Sequence, residues 1–408
     1  MQKELNHLLC ENVLAAQERE ARAFDERAGN CSNGLILFGA GDLGRRTLAG
    51  LRKAGIEPLC FTDNRKELWN QEIDGLKLLS PEDAARSHPS AVFVLTVWSA
   101  HIGHPLAAVQ EQLNSIREAK VVSFLYLYWK YPAIFLPYWR CDLPHKTIEQ
   151  FELVSAAFSL WSDEASRKEY LGQVTWRVTG DSSKLTDPVK SDQYFPEDLF
   201  KLSNREVFVD IGAFDGDTLK VFLDKSSSSF VHYYAYEPDP FGHAKLKEFI
   251  SAFASDLRQK VTVEGIGIGS HSETIEIESP GVYFRLLYPE ETAKLVARGD
   301  RANATVPSKA LDDLRFEHTP TYIKMDVEGF EPNVIFGAQD LIQKYNPIIA
   351  ISVYHKYDHL WRLPLAVHAL SGNYNFYLRP HFHAGWELIC YAVPKQRIQA
   401  NAAAAGAR

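Results

Sequence analysis

The stretch EVFVDIGAFDGDTL, Glu206 to Leu219, decides the fold. Its first half is an apolar run that ends in Asp210. Its second half crowds Gly212, Asp215 and Gly216 into a short turn before Thr218 and Leu219 open a helical pattern. Strand, glycine turn and helix in that order begin an open parallel sheet, whose ligand lies beyond the carboxyl ends of the strands. The acids in the turn restrict that ligand. A helix N-terminus attracts a diphosphate, and carboxylates placed there repel it. They suit a ligand with a cationic amine and no phosphate. The alternative is a plain tight turn in which Asp215 and Asp217 cap the helix.

Two further segments extend the pattern. YYAYEPDP places Glu237 at the end of the next apolar strand. The first two strand tips of a doubly wound sheet lie side by side, and a carboxylate there can grip two adjacent ribose hydroxyls. S-adenosylmethionine joins an adenosine to a sulfonium and an amino acid, so it matches both ends: Asp210 and Asp215 toward the methionyl group, Glu237 toward the ribose. Further on, YIKMDVEGFEPNVIFGAQDLI reads as an apolar strand ending at Asp326, then Glu328, Gly329, Glu331 and a helix.

On VDIGAFDGDTL, YAYEPDP and IKMDVEGFEPNVIFGA in that order, with KALDDL at 309–314 before the third, residues 203–397 resemble the FkbM family of S-adenosylmethionine-dependent methyltransferases. Met325 stands where relatives commonly have isoleucine, one apolar strand residue for another. The resemblance implies transfer of a methyl group to a hydroxyl of a sugar, glycan or small metabolite. It implies Asp210, Gly212, Asp215 and Glu237 in the cofactor site, which Ala213, Gly216, Thr218, Pro238 and Ile266 complete. It places Asp326 and Glu328 beside the reacting centre.

A hydroxyl is a poor nucleophile at neutral pH and needs a proton acceptor. The candidates are Asp326, Glu328 and His355, the last just after the strand IIAISV. A divalent metal on the same three residues is the alternative activator. Carboxylates and water suit magnesium, and a histidine shifts the balance toward manganese or another transition metal. His381 and His383 in LRPHFHAGW line the substrate pocket, form a weak ion site or belong to a polar loop. Tyr354 and Trp361 stack on a sugar ring or sit in the core.

A second glycine turn lies nearer the N-terminus. Gly39, Gly41 and Gly44 form GxGxxG between a strand and a helix, and Asp63 ends the next strand, which is a dinucleotide fingerprint. Asp42 sets a negative charge beside any diphosphate, and glycines at such a turn also serve strand–helix packing. Both readings stand, nucleotide or sugar-nucleotide binding and plain packing. The expected class is α/β, with two Rossmann-like doubly wound sheets. The C-terminal one is a class I methyltransferase fold closed by an antiparallel strand pair.

The expected division is an N-terminal helix at 1–30, a Rossmann-like domain at 31–130, a helical connector at 131–203, the methyltransferase domain at 204–397 and a flexible tail at 398–408. The 408 residues exceed one comfortable core. A net charge of −8 without a basic run argues against nucleic acid. Five cysteines without a CxxC pair argue against a disulfide framework or zinc and for a reducing, cytoplasmic setting. No apolar run is long enough to span a membrane. The expected partner is a small-molecule or carbohydrate acceptor, with a homo-oligomer allowed. Two other functions stay open: a non-catalytic cofactor-binding module, and an NAD-dependent oxidoreductase built on the N-terminal turn.

Overall fold

The computed structural model describes all residues except 30–33, 98–105, 117, 279–284, 287–303 and 399–408. Cys31, Pro280-Gly281 and nearly all of the C-terminal tail fall outside them. The chain divides into two compact units. One comprises Met1–Ser155, Leu171–Asp187 and Phe382–Trp386; the other comprises Ala156–Tyr170, Pro188–His381 and Glu387–Arg408. The stretch 131–203, read from sequence as a connector, is thus shared out between the two units.

The first unit holds a six-stranded sheet in the order Glu72–Ile73, Leu76–Leu79, Cys60–Thr62, Leu35–Phe38, Val92–Leu95, Lys120–Ser123. All pairs are parallel except the first. Strand side chains alternate between faces. Leu35 and Leu37 join one apolar cluster with Phe61 and Leu78, and Ile36 and Phe38 join another with Phe93 and Leu95. Both faces are covered, which is why these strands read as continuous apolar runs.

Two local expectations are corrected here. The single N-terminal helix is two, Gln2–Leu9 and Val13–Ala28, because the Asn12 side chain accepts from Leu14 N and caps the second. The run VVSFLYLYW, 121–129, reads in sequence as one strand, yet the strand is shorter. It ends at Ser123, whose hydroxyl accepts from Leu125 N and starts the helix Phe124–Lys130.

The second unit is built on a seven-stranded sheet. Its order is Tyr374–Pro380, Leu388–Pro394, Ile348–Ser352, Tyr322–Met325, Val207–Ile211, His232–Tyr236, Val261–Glu264. Leu388–Pro394 runs antiparallel to both neighbours, and every other pairing is parallel. This is the expected α/β class with its terminal antiparallel pair. The chain enters at Val207–Ile211, steps outward through His232–Tyr236, then returns to Tyr322–Met325 on the other side. The tip of Val207–Ile211 is therefore the point where the winding reverses. A four-stranded sheet accompanies it, in which Glu273–Glu278 pairs antiparallel with Arg285–Leu286; the hairpin turn that the sequence suggests around Pro280-Gly281 lies outside the described residues. No described helix is long and apolar enough to cross a membrane.

Candidate active site

Strand register sets the chemistry at the reversal point. Lys324 lies directly opposite Asp210 across the central pair. Its Nζ meets Asp210 Oδ1 at 2.9 Å, and the Tyr233 hydroxyl donates to Oδ2 at 2.5 Å. Both members of the ion pair are buried. Burial works against the Lys324 charge, but the Asp210 carboxylate outweighs it and raises the lysine's pKa. Asp210 is therefore spent on Lys324 and Tyr233 below the crevice and does not line it. Lys324 also donates to Gly212 O, so the pair fixes the turn above.

Gly212 has φ of 82°, and a Cβ there would lie 1.9 Å from Asp326 O. Only glycine lets the tips of the two central strands meet. Gly212→Ala is expected to cost more than the ~1–3 kcal/mol of such a backbone conformation alone, because a backbone clash adds to it. Gly372→Ala, at a position where a Cβ meets nothing within 4 Å, is the control in the same thermal-melting experiment.

Glu237 stands at the second tip, 2% exposed. Its Oε2 accepts from Phe214 N at 2.6 Å and its Oε1 from Asp239 N at 2.8 Å. Each oxygen keeps one lone pair for a ligand hydroxyl. Burial raises its pKa to about 7, against the lowering effect of the two backbone donors. Asp239 caps the following helix, Pro240–Ser251, by accepting from Gly242 N at 2.9 Å.

These groups border a crevice of about 220 Å³. Of the residues expected from sequence, Gly212, Thr218, Glu237, Asp326 and Glu328 line it. Ala213, Gly216, Pro238 and Ile266 are buried beside the strand tips, and Asp215 is half-buried in the turn. Asp217, the first residue of the helix Asp217–Lys225, lines the crevice instead of Asp215.

The fourth corner gathers three carboxylates around one histidine. His355 Nδ1 sits 2.7 Å from Glu331 Oε1, and both residues are buried. The opposite ring nitrogen, Nε2, lies 3.4 Å from Asp326 Oδ1 and 3.6 Å from Glu328 Oε2. Burial lowers the His355 pKa, but Glu331, Glu328 and Asp326 overcome this and raise it to about 10. The imidazole is then already charged at neutral pH and has no lone pair for an acceptor's proton. Burial raises Glu328 to about 7; His355 opposes this, and Asp326 and Glu331 reinforce it.

With this geometry in place, one part of the chain can be set beside known proteins. Residues 210–379 match the family model described as the methyltransferase FkbM domain. Residues 210–379, less than half of the chain, are thus similar to an FkbM methyltransferase domain. Over nearly its full length the chain is also similar to the crystal structure of methyltransferase FkbM from Methylobacillus flagellatus KT. The identity is 19%, the match covers 94% of this chain and 99% of that one, and the TM-score is 0.75, a likeness of fold. A putative rRNA-methylase from Clostridium thermocellum matches at 8% identity over 48% of this chain and 88% of its own, with a TM-score of 0.30. No curated protein matches the chain.

Several crevice residues escaped the sequence reading. Tyr194 comes from a polar, turn-rich stretch ahead of the first strand, yet its hydroxyl donates to Asp326 Oδ2 at 2.8 Å. Gln193 Nε2 donates to the Tyr194 hydroxyl at 3.0 Å and to Glu387 Oε2 at 2.5 Å. Tyr354, one of the two aromatics expected at the acceptor, lines the crevice and donates to Glu387 Oε2 at 3.2 Å; Trp361 is fully buried core. His381 Nε2 contacts the Tyr391 hydroxyl at 2.7 Å, and burial lowers the ring's pKa to about 4. His383 belongs to the segment of the other unit.

The N-terminal glycine turn has a different character. Asp63 accepts from Ala40 N at 3.0 Å and takes a forked grip from Arg65, Nε at 3.0 Å and Nη2 at 2.8 Å. The acid expected to hold a ribose is already engaged. A Cβ on Gly44 would lie 2.0 Å from Gly39 O, so close helix–strand packing alone demands that glycine. No observation on this turn favours a nicotinamide cofactor.

Proposed function

We propose that the FkbM domain binds S-adenosylmethionine in this crevice and transfers its methyl group to a hydroxyl of a sugar, glycan or small metabolite. The observation that carries the reading is Glu237, a buried carboxylate at the tip of the second strand, anchored through both oxygens and facing the same crevice as Asp326 and Glu328. It receives the two ribose hydroxyls. Six crevice carboxylates, Asp217, Glu237, Asp239, Asp326, Glu328 and Glu387, share the lining with a single amine, Lys324, itself engaged by Asp210. Such a lining disfavours a phosphorylated ligand and suits the amine of a methionyl group.

The reaction is a displacement at carbon. A lone pair of the acceptor oxygen attacks the sulfonium methyl, the C–S pair returns to sulfur as a neutral thioether, and the hydroxyl proton passes to the carboxylate of Asp326, with Glu328 beside it. Because the leaving group is neutral, much of the rate comes from alignment. The acceptor lies between Asp326, Glu328, Tyr194 and Tyr354. The test is a screen with methyl-labelled donor against neutral sugars, nucleotide-sugars and glycans, with Asp326→Asn as the blank. Transfer to none of them, with the donor bound, favours the non-catalytic module.

Glu237 also makes cofactor affinity depend on pH. Its pKa in the folded, ligand-free protein, about 7, is above its ordinary 4.5. Its contribution to folding is therefore fully present below about 4.5 and is lost as pH rises through about 7. Ribose hydroxyls donate to the ionised form, so binding tightens as pH rises toward 7. Below that, affinity for S-adenosylhomocysteine is expected to fall about tenfold per pH unit. Glu237→Gln is expected to bind weakly with a flat profile in calorimetry; a wild-type profile flat between pH 5 and 7 would contradict the assignment.

A further inference from the structure

We propose that His355 Nε2, Asp326 Oδ1 and Glu328 Oε2 form a site for one divalent transition cation, with Glu331 as the residue that aims the histidine. His355 Nε2 is the neighbour that the two carboxylate oxygens share, and Asp326 and Glu328 both line the crevice. Nε2 is 3.4 Å from the aspartate oxygen and 3.6 Å from the glutamate oxygen. A direct charged hydrogen bond would be about 2.7–2.9 Å. Donors about 2.1 Å from a shared metal stand about 3.0 Å apart at octahedral angles and about 3.4 Å apart at tetrahedral ones. The two spacings from Nε2 fit ligands around an ion better than hydrogen-bond partners.

Two independent features point the same way. Asp326 Oδ2 is occupied by the Tyr194 hydroxyl, whereas Oδ1, the oxygen turned toward His355, is a buried atom that makes no hydrogen bond. Behind the ring, Glu331 accepts at Nδ1 at 2.7 Å and is itself pinned by Val327 N at 3.1 Å. A carboxylate on the far nitrogen, fully buried, is the arrangement that fixes the tautomer and orientation of a metal-bound imidazole. Asp326, Glu331 and His355 together present donor atoms within 4.8 Å of one another. Glu331 holds Nδ1, however, on the other side of the ring from Nε2, so it orients the histidine and Glu328 completes the set.

One imidazole with two carboxylates suits manganese and its first-row neighbours better than magnesium, which prefers oxygen and water. Nε2 carries either a proton or the ion, so loading displaces the proton. The remaining positions face the crevice, open to an acceptor hydroxyl whose acidity the ion would raise. That role rests on the methyl-transfer reading; the site itself does not.

The experiment titrates manganese(II) into the chelator-treated full chain and reads free ion by electron paramagnetic resonance. Pulsed resonance on the bound ion detects coupling to an imidazole nitrogen. One ion per chain is expected, with nitrogen coupling, lost in His355→Gln and weakened at least tenfold in Glu328→Gln. Glu331→Gln, which touches no ion, is expected to weaken binding about 10–100-fold. Calorimetry with S-adenosylhomocysteine in the absence of metal checks each variant's crevice separately, so loss of the ion and loss of the cofactor are told apart. If His355→Gln fails to fold, Glu328→Gln, at the rim of the crevice, decides. No stoichiometric ion in the wild type, or an ion without nitrogen coupling that Glu328→Gln leaves unchanged, would overturn the proposal.

Discussion

Lys324→Met is expected to destabilise the protein by about 3–5 kcal/mol, since it leaves a buried carboxylate without its counter-charge. At the size of this unit that corresponds to a melting temperature lower by roughly 10 °C. Asp210 is completely enclosed, and after the substitution only the Tyr233 hydroxyl would remain to meet it. The second effect is on the crevice, because Lys324 also holds the Gly212 carbonyl and thus the turn on which the cofactor would rest. Adding Asp210→Asn to Lys324→Met removes the stranded charge and is expected to recover a large part of the loss. Differential scanning calorimetry on the two single variants and the double variant measures the coupling. A loss below about 1 kcal/mol in Lys324→Met would mean that the pair is not ionised as described.

Asp326→Asn is expected to lower methyl transfer by about 10²- to 10⁴-fold, the usual contribution of a positioned proton acceptor. Affinity for S-adenosylhomocysteine should stay close to wild type. The asparagine carbonyl still accepts from Tyr194, so the side chain keeps its place. What it loses is the charge beside Glu328 and His355. Single-turnover measurement with labelled donor separates the chemical step from binding. A large drop in cofactor affinity would instead place Asp326 in the cofactor site, and unchanged turnover would remove it from the chemistry.

Much of the second unit was legible in the sequence because its strands are buried on both faces and end in acid- and glycine-rich turns. The apolar runs at 207–211, 232–237, 261–264, 321–326 and 348–353 each form a strand within one residue of those bounds. The error over Asp210 has a physical cause. A strand pattern reveals that a carboxylate stands at a tip but not what lies opposite it, and Lys324 becomes its partner only through the register of strands more than a hundred residues apart. In the sequence Lys324 is a single charged residue within the apolar run YIKM. Tyr194 and Glu387 were hidden for a similar reason. Each lies in a turn, with φ of 68° and 48°, where neither hydrophobic period nor glycine motif marks a function. The histidine cluster was half legible. Asp326, Glu328 and His355 were named together, but the orienting role of Glu331 depends on a helix start that sequence places only approximately.

The central claim is that the tips of the two adjacent strands, closed by Gly212 and Glu237, hold an adenosine compound bearing an amine and no phosphate. Isothermal titration of S-adenosylmethionine into the wild type and Glu237→Ala tests it most directly, with NAD as competitor. One cofactor per chain, binding abolished by Glu237→Ala and untouched by NAD, is the predicted result. Equal affinity in both proteins, or displacement by NAD, would contradict it.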